Sequence, residues 1–332
     1  MKRVLVTGAT GGLGRNAVDA LLARGVQVRA TGRNAAIGAN LSAQGAEFIT
    51  ADLAHATPAG MRALVAGCDT IWHCAALSSP WGRKDAFELA NVTASRNLSM
   101  AAAGMKVQRF VHISTPALYF DFKHRYGVTE EFTPVWYVNH YAETKARAEQ
   151  EVLRATADGL HVTILRPRAI FGKYDQVLLP RLLRLLDQKD GRLILPRAGE
   201  TVLDLTYADN VVHAMRLAST RPDLASGGIF NITNNEPLQV RQVLEALFVR
   251  ELGRTMDLRG VPYPVLAGLA RGMEAVSHMT GKEPALTRYS LGALAFDMTL
   301  DISRAQGLLG YMPQVSMQEA VVRTANWLKT SA

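Results

Sequence analysis

The stretch that decides the fold is VLVTGATGGLGRNAV, residues 4–18. An apolar strand runs into a glycine-rich turn, and a segment with helical spacing follows. Gly8 permits a tight turn, Gly11 lets the backbone approach a pyrophosphate, and Gly14 lets the helix pack against the strand. The unpaired N–H groups and partial positive charge at the start of such a helix favour phosphate. The sequence therefore predicts a dinucleotide site in the first strand–turn–helix unit.

Strand-like and helix-like stretches alternate through the first half of the chain. Strands are predicted at Val4–Val6, Val26–Ala30, Ala46–Ile49, Thr70–Cys74, Phe110–Ser114 and Val162–Leu165, and helices near Arg15–Ala23, Met61–Ala66, Ala86–Ala103 and Tyr141–Ala155. This alternation predicts an α/β fold, a Rossmann-type doubly wound parallel sheet with helices on both faces.

The second half has a looser rhythm and predicts a smaller C-terminal α/β substrate lobe. Its predicted helices are Val177–Leu186, Val240–Leu252, Pro262–Met279 and Gln318–Leu328, and its predicted strands are Val202–Thr206 and Ile229–Thr233. We expect residues 1–168 plus about 203–235 to form the dinucleotide-binding domain, and about 169–202 plus 236–332 to form the lobe.

The composition is that of a globular protein, with 48% hydrophobic and 20% charged residues among 332. The net charge of +8 favours anionic ligands weakly, but the basic residues are scattered, so nucleic acid is not expected as a partner. Two cysteines, Cys68 and Cys74, exclude a disulfide framework and argue against a metal site. The chain has no apolar run of about 18 residues and no room for a signal peptide, so we expect a cytoplasmic protein without a membrane span.

Tyr141 and Lys145 lie four residues apart in a helical segment, which places both side chains on one face. A phenol is a poor base at neutral pH, and a neighbouring cation is expected to lower its pKa. The pair is therefore a candidate acid–base group, with the lysine also able to hold a nicotinamide ribose. The spacing alone is common and mostly structural.

Two hydroxyl side chains, Ser114 and Thr115, end the predicted strand at Phe110–Ser114. Ligands of open α/β sheets bind at the carboxyl edge of the strands. A hydroxyl there can donate a hydrogen bond to a substrate oxygen as it becomes alkoxide-like, or it can simply cap the strand.

The second predicted strand ends at Thr31-Gly32-Arg33 without the acid that a site for NAD usually carries. Arg33 could pair with a 2′-phosphate, so NADP is favoured, with NAD possible. Asp52 and Leu53, after the third strand, are candidates for contact with the adenine ring, although Asp52 could equally cap a helix.

Four segments together resemble an extended short-chain dehydrogenase/reductase of the NAD-dependent epimerase/dehydratase superfamily: TGATGGLG at 7–14, the Tyr-x-x-x-Lys pair, LRPRAIFG at 165–172 and FNITNNEPL at 230–238. CAALSSPWG at 74–82 and LANVTASRNL at 89–98 are most similar to the 3β-hydroxysteroid dehydrogenase-like branch. The resemblance covers nearly the whole chain, and it implies a homodimer.

The resemblance also implies roles for individual residues. It makes Tyr141 and Lys145 catalytic, with Thr115 as the catalytic hydroxyl and Ser114 as a close second, and it puts Asn91 on a helix that lines the site. The cofactor-binding set that we expect is Gly8, Thr10, Gly11, Gly12, Leu13, Gly14, Arg33, Asp52, Leu53, Ala75, Ala76, Asn91, Tyr141, Lys145 and Pro167.

The substrate is expected to be small and hydrophobic. Ala169 stands where related nucleotide-sugar enzymes commonly carry Asn, and the loop between Thr115 and Tyr141 is rich in aromatic residues. We therefore expect NADP-dependent interconversion of a hydroxyl and a carbonyl on a steroid-like compound, a β-keto acid or a related ketone. A nucleotide-sugar epimerase/dehydratase and a non-catalytic NADP-binding redox sensor are the alternatives.

Overall fold

The computed structural model describes residues 1–176, 179–188 and 190–331. In chain order its strands are β1 Arg3–Thr7, β2 Gln27–Gly32, β3 Glu47–Thr50, β4 Thr70–His73, β5 Arg109–Ile113, β6 Arg125–Val128, β7 His161–Pro167, β8 Ile170–Phe171, β9 Arg192–Pro196, β10 Val202–Leu203, β11 Thr206–Tyr207, β12 Gly228–Ile232, β13 Leu238–Gln239, β14 Asp257–Val261 and β15 Met298–Leu300.

The α-helices are α1 Gly12–Leu22, α2 Ala35–Ala43, α3 Pro58–Val65, α4 Lys84–Phe87, α5 Ala94–Gly104, α6 His140–Arg154, α7 Leu179–Gln188, α8 Ala208–Thr220, α9 Val240–Leu244, α10 Tyr263–Thr280, α11 Arg288–Gly292 and α12 Met317–Ser331. Shorter 3₁₀ and π segments connect some of them. Within the described ranges, none of these helices is long and apolar enough to cross a membrane.

The largest sheet is parallel and has the strand order β12-β7-β5-β4-β1-β2-β3. Its central strands read as continuous apolar runs because both of their faces are covered: Val4, Leu5 and Val6 of β1 are fully buried. The strand order reverses between β1 and β4, which opens a crevice at the carboxyl edge where ligands of such sheets bind. The predicted Rossmann-type sheet is confirmed.

Alternate residues of each central strand feed two separate cores. Val4 and Val6 pack on one face, in a cluster with α1 and α8 that includes Val18 and Met215. Leu5 points to the opposite face. There it joins residues of α3, α5 and α6. The period of two in a strand produces this division, and Val152 of α6 lies on the same face of the sheet as Leu5.

A smaller lobe is built around a second sheet with the order β13-β10-β15-β6 and a parallel pair, β14 and β9. Strand β6 comes from the segment between Thr115 and Tyr141, yet it pairs with β15 of the lobe. Strand β12, which follows β10 and β11 along the chain, pairs in parallel with β7 of the main sheet.

Several predicted elements differ in detail from those observed. The single helix expected at Ala86–Ala103 is α4, a π segment at Glu88–Thr93 and then α5. The strand expected at Val202–Thr206 is divided into β10 and β11 at Asp204, whose buried carboxylate accepts the Leu300 N–H at 2.7 Å. Helix α2 was not predicted. Val177 and Leu178, the first residues of one predicted helix, lie outside the described residues.

Replacing Gly14 by Ala should destabilise the protein because a Cβ there would lie 2.2 Å from the Gly8 carbonyl oxygen. We expect a loss of roughly 2–3 kcal/mol in the free energy of unfolding, measured by urea denaturation. The matched control is Gly268→Ala in α10, where a Cβ meets nothing within 4 Å. The control should gain about 0.5–1 kcal/mol from helix propensity. Equal effects of the two substitutions would contradict the close packing at Gly14.

Candidate active site

The carboxyl ends of β1, β4 and β5 bring the predicted site segments together at one edge of the sheet. Gly8 follows β1 and adopts a left-handed backbone, with φ of +63°. A Cβ on Gly8 would lie 2.8 Å from the backbone of Ala75, which follows β4. Ala75 in turn donates its N–H to the Thr7 hydroxyl at 3.2 Å. The glycine turn and the segment at Ala75 and Ala76 therefore form one continuous backbone surface.

The start of α1 fits the pyrophosphate of a dinucleotide. Its N-cap residue is Gly11, which supplies no side-chain hydrogen bond, and the first turn contains no acidic residue. The N–H groups of Gly12, Leu13 and Gly14 are therefore not used by a side-chain cap and carry the positive end of the helix dipole. The turn is also closely built, because a Cβ on Gly32 would meet the Thr10 side chain at 2.6 Å. These residues would hold the cofactor phosphates.

Arg33 and Asp52 come together at the ends of neighbouring strands β2 and β3. Arg33 is exposed. Partial burial raises the pKa of Asp52, but hydrogen bonds from Ala54 and His55 and attraction to Arg33 outweigh it, so this pKa lies below its usual value. The Asp52 carboxylate accepts the Ala54 N–H at 3.1 Å, which is a turn-capping role. The Leu53 side chain is buried in the core.

Tyr141 and Lys145 lie in the first turns of α6. The helix begins at His140, and the Asn139 side chain caps it by accepting the Ala142 N–H at 2.9 Å. The Lys145 ammonium is almost completely buried and donates to the Ile113 carbonyl at 2.7 Å and to Nε2 of His112 at 3.1 Å. An ammonium has three N–H donors, so one remains for a cofactor ribose.

Burial lowers the pKa of Lys145 to about 8, although the nearby Glu149 carboxylate and Cys74 thiol act in the opposite direction. The Lys145 ammonium is bonded to residues at the end of β5. Groups other than Lys145 set the pKa of Tyr141. Burial raises the pKa of Tyr141, while hydrogen bonds with the side chains of Ser78 and Thr115 partly offset the rise. The expectation that Lys145 lowers the pKa of this phenol is therefore wrong for this structure, because desolvation dominates.

The two hydroxyls after β5 have different environments. The Thr115 side chain is near enough to the Tyr141 phenol to offset part of the rise in its pKa, and its Oγ1 accepts the Ala117 N–H at 3.1 Å. The Ser114 hydroxyl is buried and has no hydrogen-bond partner among the described residues. The Ser114 N–H donates to the Leu165 carbonyl at 2.7 Å, which joins the end of β5 to β7. Of these two hydroxyls, only that of Thr115 therefore acts on the pKa of Tyr141.

Asn91 fastens the loop after β4 to the helix that carries Tyr141. Its Oδ1 accepts the Leu77 N–H at 2.8 Å, and its Nδ2 donates to the Leu77 carbonyl at 3.2 Å and to the Thr144 hydroxyl at 3.1 Å. Asn91 lies in the π segment between α4 and α5, a type of irregularity that is frequent at functional sites. Its amide holds the loop that presents Ser78.

Two residues of the site were missed by sequence reasoning. Ser78 lies in the quoted segment CAALSSPWG, but nothing in the pattern singles it out as a partner of Tyr141. His112 faces Lys145. Burial and, to a smaller extent, repulsion from Lys145 lower the pKa of His112 well below its usual value, so its ring is neutral and accepts a hydrogen bond from the ammonium. His73 is also neutral, because burial lowers its pKa to about 3. His73 is held between the hydroxyls of Thr7 and Ser95, at 2.7 and 2.9 Å.

The remaining predicted residues have simple positions. Pro167 is the last residue of β7 and is buried. The two cysteines are free, and burial raises the pKa of the Cys74 thiol to about 12, so it is not a reactive thiolate at neutral pH. Within the part of the chain that the structure describes, no group of three or more His, Cys, Asp or Glu side chains is placed to hold a metal ion.

A glycine-turn cradle beside a Tyr–Lys pair and a hydroxyl defines the class of nicotinamide-dependent dehydrogenases and reductases with a Rossmann-type sheet. Comparison with known families agrees: a model of the NAD dependent epimerase/dehydratase family matches residues 4–233. The chain belongs to this family, as the sequence predicted, and is an NAD(P)-dependent dehydrogenase/reductase.

Curated relatives extend the likeness beyond the family match. The uncharacterized protein YbjS of Escherichia coli (strain K12) is 45% identical, with 98% of each chain covered. A 2-alkyl-3-oxoalkanoate reductase of Stenotrophomonas maltophilia is 32% identical, covering 97% of this chain and 98% of that protein. A 3beta-hydroxysteroid-dehydrogenase/decarboxylase of Arabidopsis thaliana is 29% identical, covering 84% and 66%. The likeness to the 3β-hydroxysteroid dehydrogenase-like branch is thus confirmed.

Solved structures show the same fold. The structure of UDP-glucuronic acid 4-epimerase from Bacillus cereus, in complex with NAD, has a TM-score of 0.78 and 20% sequence identity, covering 99% of this chain and 96% of that one. At this identity the likeness concerns the architecture of the main sheet and lobe and not the substrate.

The buried Lys145 should make stability depend on pH. Its pKa is about 8 in the folded protein against an ordinary value of 10.5. Between these values the unfolded chain binds more protons than the folded one, so raising the pH through this window stabilises the folded state. The measurement is the free energy of unfolding of the wild type and of Lys145→Met, by urea denaturation without cofactor. Between pH 7.5 and pH 10 we expect the wild type to gain roughly 2 kcal/mol in this free energy relative to Lys145→Met.

Tyr141 and Cys74, whose raised pKa values act in the opposite direction at alkaline pH, are present in both proteins and largely cancel in this difference. A difference that is flat or that falls as the pH rises would show that the Lys145 environment does not penalise its charge.

Proposed function

We propose that this protein catalyses NADP-dependent interconversion of a hydroxyl and a carbonyl on a hydrophobic substrate, with Tyr141 as the acid–base group. The observation that carries the proposal is the Tyr141 phenol near the Thr115 and Ser78 side chains, which offset part of the rise in its pKa, on the helix that also carries the buried Lys145. When bound, the nicotinamide cofactor supplies or accepts the hydride.

The phenol suits the role of proton donor in the reducing direction. Because burial raises the pKa of Tyr141, the side chain holds its proton at neutral pH and can give it to the substrate oxygen as negative charge develops there. Thr115 orients the same oxygen through a hydrogen bond. Lys145, which Ile113 and His112 hold in place, would donate its remaining N–H to the cofactor ribose.

The preference for NADP rests on Arg33. Its guanidinium is exposed at the end of β2 and lies close enough to Asp52 to influence that carboxyl. A solvent-facing cation at this position can form charge-assisted hydrogen bonds with a 2′-phosphate. Asp52 is engaged as a turn cap, which leaves Arg33 as the residue that would select between the two cofactors.

Aromatic side chains support an apolar substrate. Tyr289 of α11 lies within electrostatic reach of Tyr141 and packs edge-on against Phe120 at a centroid distance of 5.7 Å. Phe120 contacts Phe122 at 5.0 Å, and Phe122 contacts the exposed Trp136 at 6.3 Å. A connected series of rings therefore runs from the neighbourhood of the phenol to the surface, and it suits a long apolar group.

A nucleotide sugar is less well supported as a substrate. Ala169 has a positive φ of 42°, a conformation that Asn tolerates better than Ala. The backbone at residue 169 would therefore accept the Asn that the nucleotide-sugar enzymes carry. Having Ala there removes a polar contact and does not relieve backbone strain. Retention of the Tyr–Lys pair argues in the same way against a non-catalytic cofactor sensor. The relative named 2-alkyl-3-oxoalkanoate reductase favours a keto acid or a related ketone.

We further propose that the enzyme acts as a homodimer.

The test of the proposed function is Tyr141→Phe, which removes the phenolic proton and keeps the ring. We expect NADPH oxidation with a panel of β-keto acids, ketosteroids and aromatic ketones to fall by about 1,000-fold, while NADP binding stays unchanged in calorimetry. Turnover retained by this variant, or a wild type active only on UDP-sugars, would overturn the assignment.

A control pair separates the two neighbouring hydroxyls. Because Thr115 contacts the phenol and Ser114 has no described partner, Thr115→Ala should lose about 100-fold in kcat. Ser114→Ala should stay within about threefold of the wild type, since it gives up no hydrogen bond within the described structure. The reverse order would transfer the catalytic role to Ser114.

The cofactor assignment predicts the behaviour of Arg33→Ala. Losing the charge-assisted bonds to a 2′-phosphate should lower kcat/KM for NADPH by about 10- to 100-fold and leave NADH nearly unaffected. The control is Arg24→Ala, an exposed arginine just after α1 that hydrogen bonds with the Ala20 carbonyl at 2.9 Å. A wild-type preference for NADH would contradict the choice of NADP.

A further inference from the structure

Arg168 is fixed at the carboxyl edge of the sheet, directly after β7. Its N–H donates to the Ile232 carbonyl at 3.1 Å, and its carbonyl accepts the Thr206 hydroxyl at 2.6 Å. Strand β7 pairs with β5, the strand that Ser114 and Thr115 directly follow. The backbone of Arg168 is therefore held one strand away from the hydroxyl that contacts Tyr141.

The guanidinium of Arg168 is buried without a hydrogen-bond partner for its Nε. The residue is 8% exposed, and Nε has no partner among the described residues. Burial lowers the pKa of Arg168, which reflects the cost of holding the cation there. An unpaired buried charge is strongly unfavourable unless another group compensates it.

Arg166, two residues earlier, shows what a structural arginine looks like in this protein. It is 6% exposed. Its guanidinium forms a two-bond pair with the Glu149 carboxylate at 2.8 and 2.5 Å and also donates to the Glu130 carbonyl at 3.1 Å. Arg168 is buried to a similar extent, yet its Nε has no such partner among the residues that the structure describes.

Two groups lie within electrostatic reach of Arg168. The Asp204 carboxylate attracts it, but this carboxylate is already used by the Leu300 N–H at 2.7 Å and by the Thr233 side chain. Tyr289 interacts electrostatically with both Arg168 and Tyr141. Tyr289 is therefore a common neighbour of the Arg168 guanidinium and the Tyr141 phenol.

We propose that Arg168 binds a carboxylate of the substrate, so that the preferred substrates are 3-oxo and 3-hydroxy acids with an apolar chain. This inference rests on the proposed function. The planar guanidinium matches a carboxylate through paired charge-assisted bonds. The nearby Asp204 charge opposes every anion at this place, and it opposes a dianionic phosphate group more strongly than a single carboxylate. The position of Arg168 directly after β7, next to β5, puts this binding group at the same edge of the sheet as Thr115.

The test compares a stable 3-hydroxyalkanoate with its methyl ester, both oxidised with NADP. The wild type should favour the acid in kcat/KM. Arg168→Met should lose about 100-fold on the acid, change by less than about threefold on the ester, and so abolish the preference. Arg168→Lys should fall in between, because it keeps the charge without the fork. Arg259→Met, at an exposed arginine of β14, is the matched control and should behave as the wild type.

Thermal unfolding and NADP binding establish that each variant is folded. If Arg168→Met does not fold, an inhibition experiment replaces the comparison of rates. It measures how strongly a saturated fatty acid and its methyl ester inhibit the wild type and Arg168→Lys. We expect competitive inhibition by the acid alone and weaker inhibition of the lysine variant. Equal inhibition by acid and ester would overturn the role of Arg168.

The outcomes distinguish this inference from the proposed function. The carboxylate site is wrong, and the proposed function stands, in either of two cases. In the first, the wild type oxidises the ester and simple alcohols and shows no preference for the acid. In the second, Arg168→Met loses activity equally on the acid and on the ester. If the wild type turns over neither these compounds nor any ketone of the panel used for Tyr141→Phe, the proposed function itself fails.

Discussion

The arrangement of the site depends on the need to satisfy one buried ammonium. Lys145 is removed from water, and its N–H donors must find acceptors inside the protein. The Ile113 carbonyl, at the end of β5, and the neutral His112 ring accept two of them. These bonds fix the position of α6 against the sheet. Since Tyr141 lies one turn earlier on the same helix, its phenol is held beside Thr115, which leaves the same strand two residues later.

The same helix carries a second buried polar pair that reinforces this position. Glu149, one turn after Lys145, pairs with Arg166 of β7 at 2.5 Å. The fixed helix is thus bonded to two adjacent strands, β5 and β7, through side chains that would be costly to leave unpaired. Arg168, two residues beyond this pair, lacks such a partner for Nε among the described residues. The contrast separates the charges that build the fold from the one that we assign to substrate binding.

The cofactor side of the site depends on backbone rather than on side chains. The glycine turn after β1 contacts the backbone at Ala75 closely, and α1 begins without a side-chain cap. Asn91 then connects the loop after β4 to α6. Through these contacts the phosphate cradle and the Tyr141 helix are parts of one rigid edge, which is what hydride transfer to a fixed carbon requires.

Local patterns were sufficient for the sheet strands, the glycine turn, the Tyr–Lys pair and the family, because period, turn chemistry and short motifs are written in adjacent residues. The sequence could not choose between Ser114 and Thr115, and it missed Ser78, His112 and the isolation of Arg168. It also gave the wrong direction for the pKa of Tyr141. Each of these depends on burial and on contacts between residues distant along the chain. Such desolvation and pairing exist only after the strands and helices have packed, and only the tertiary structure decided them.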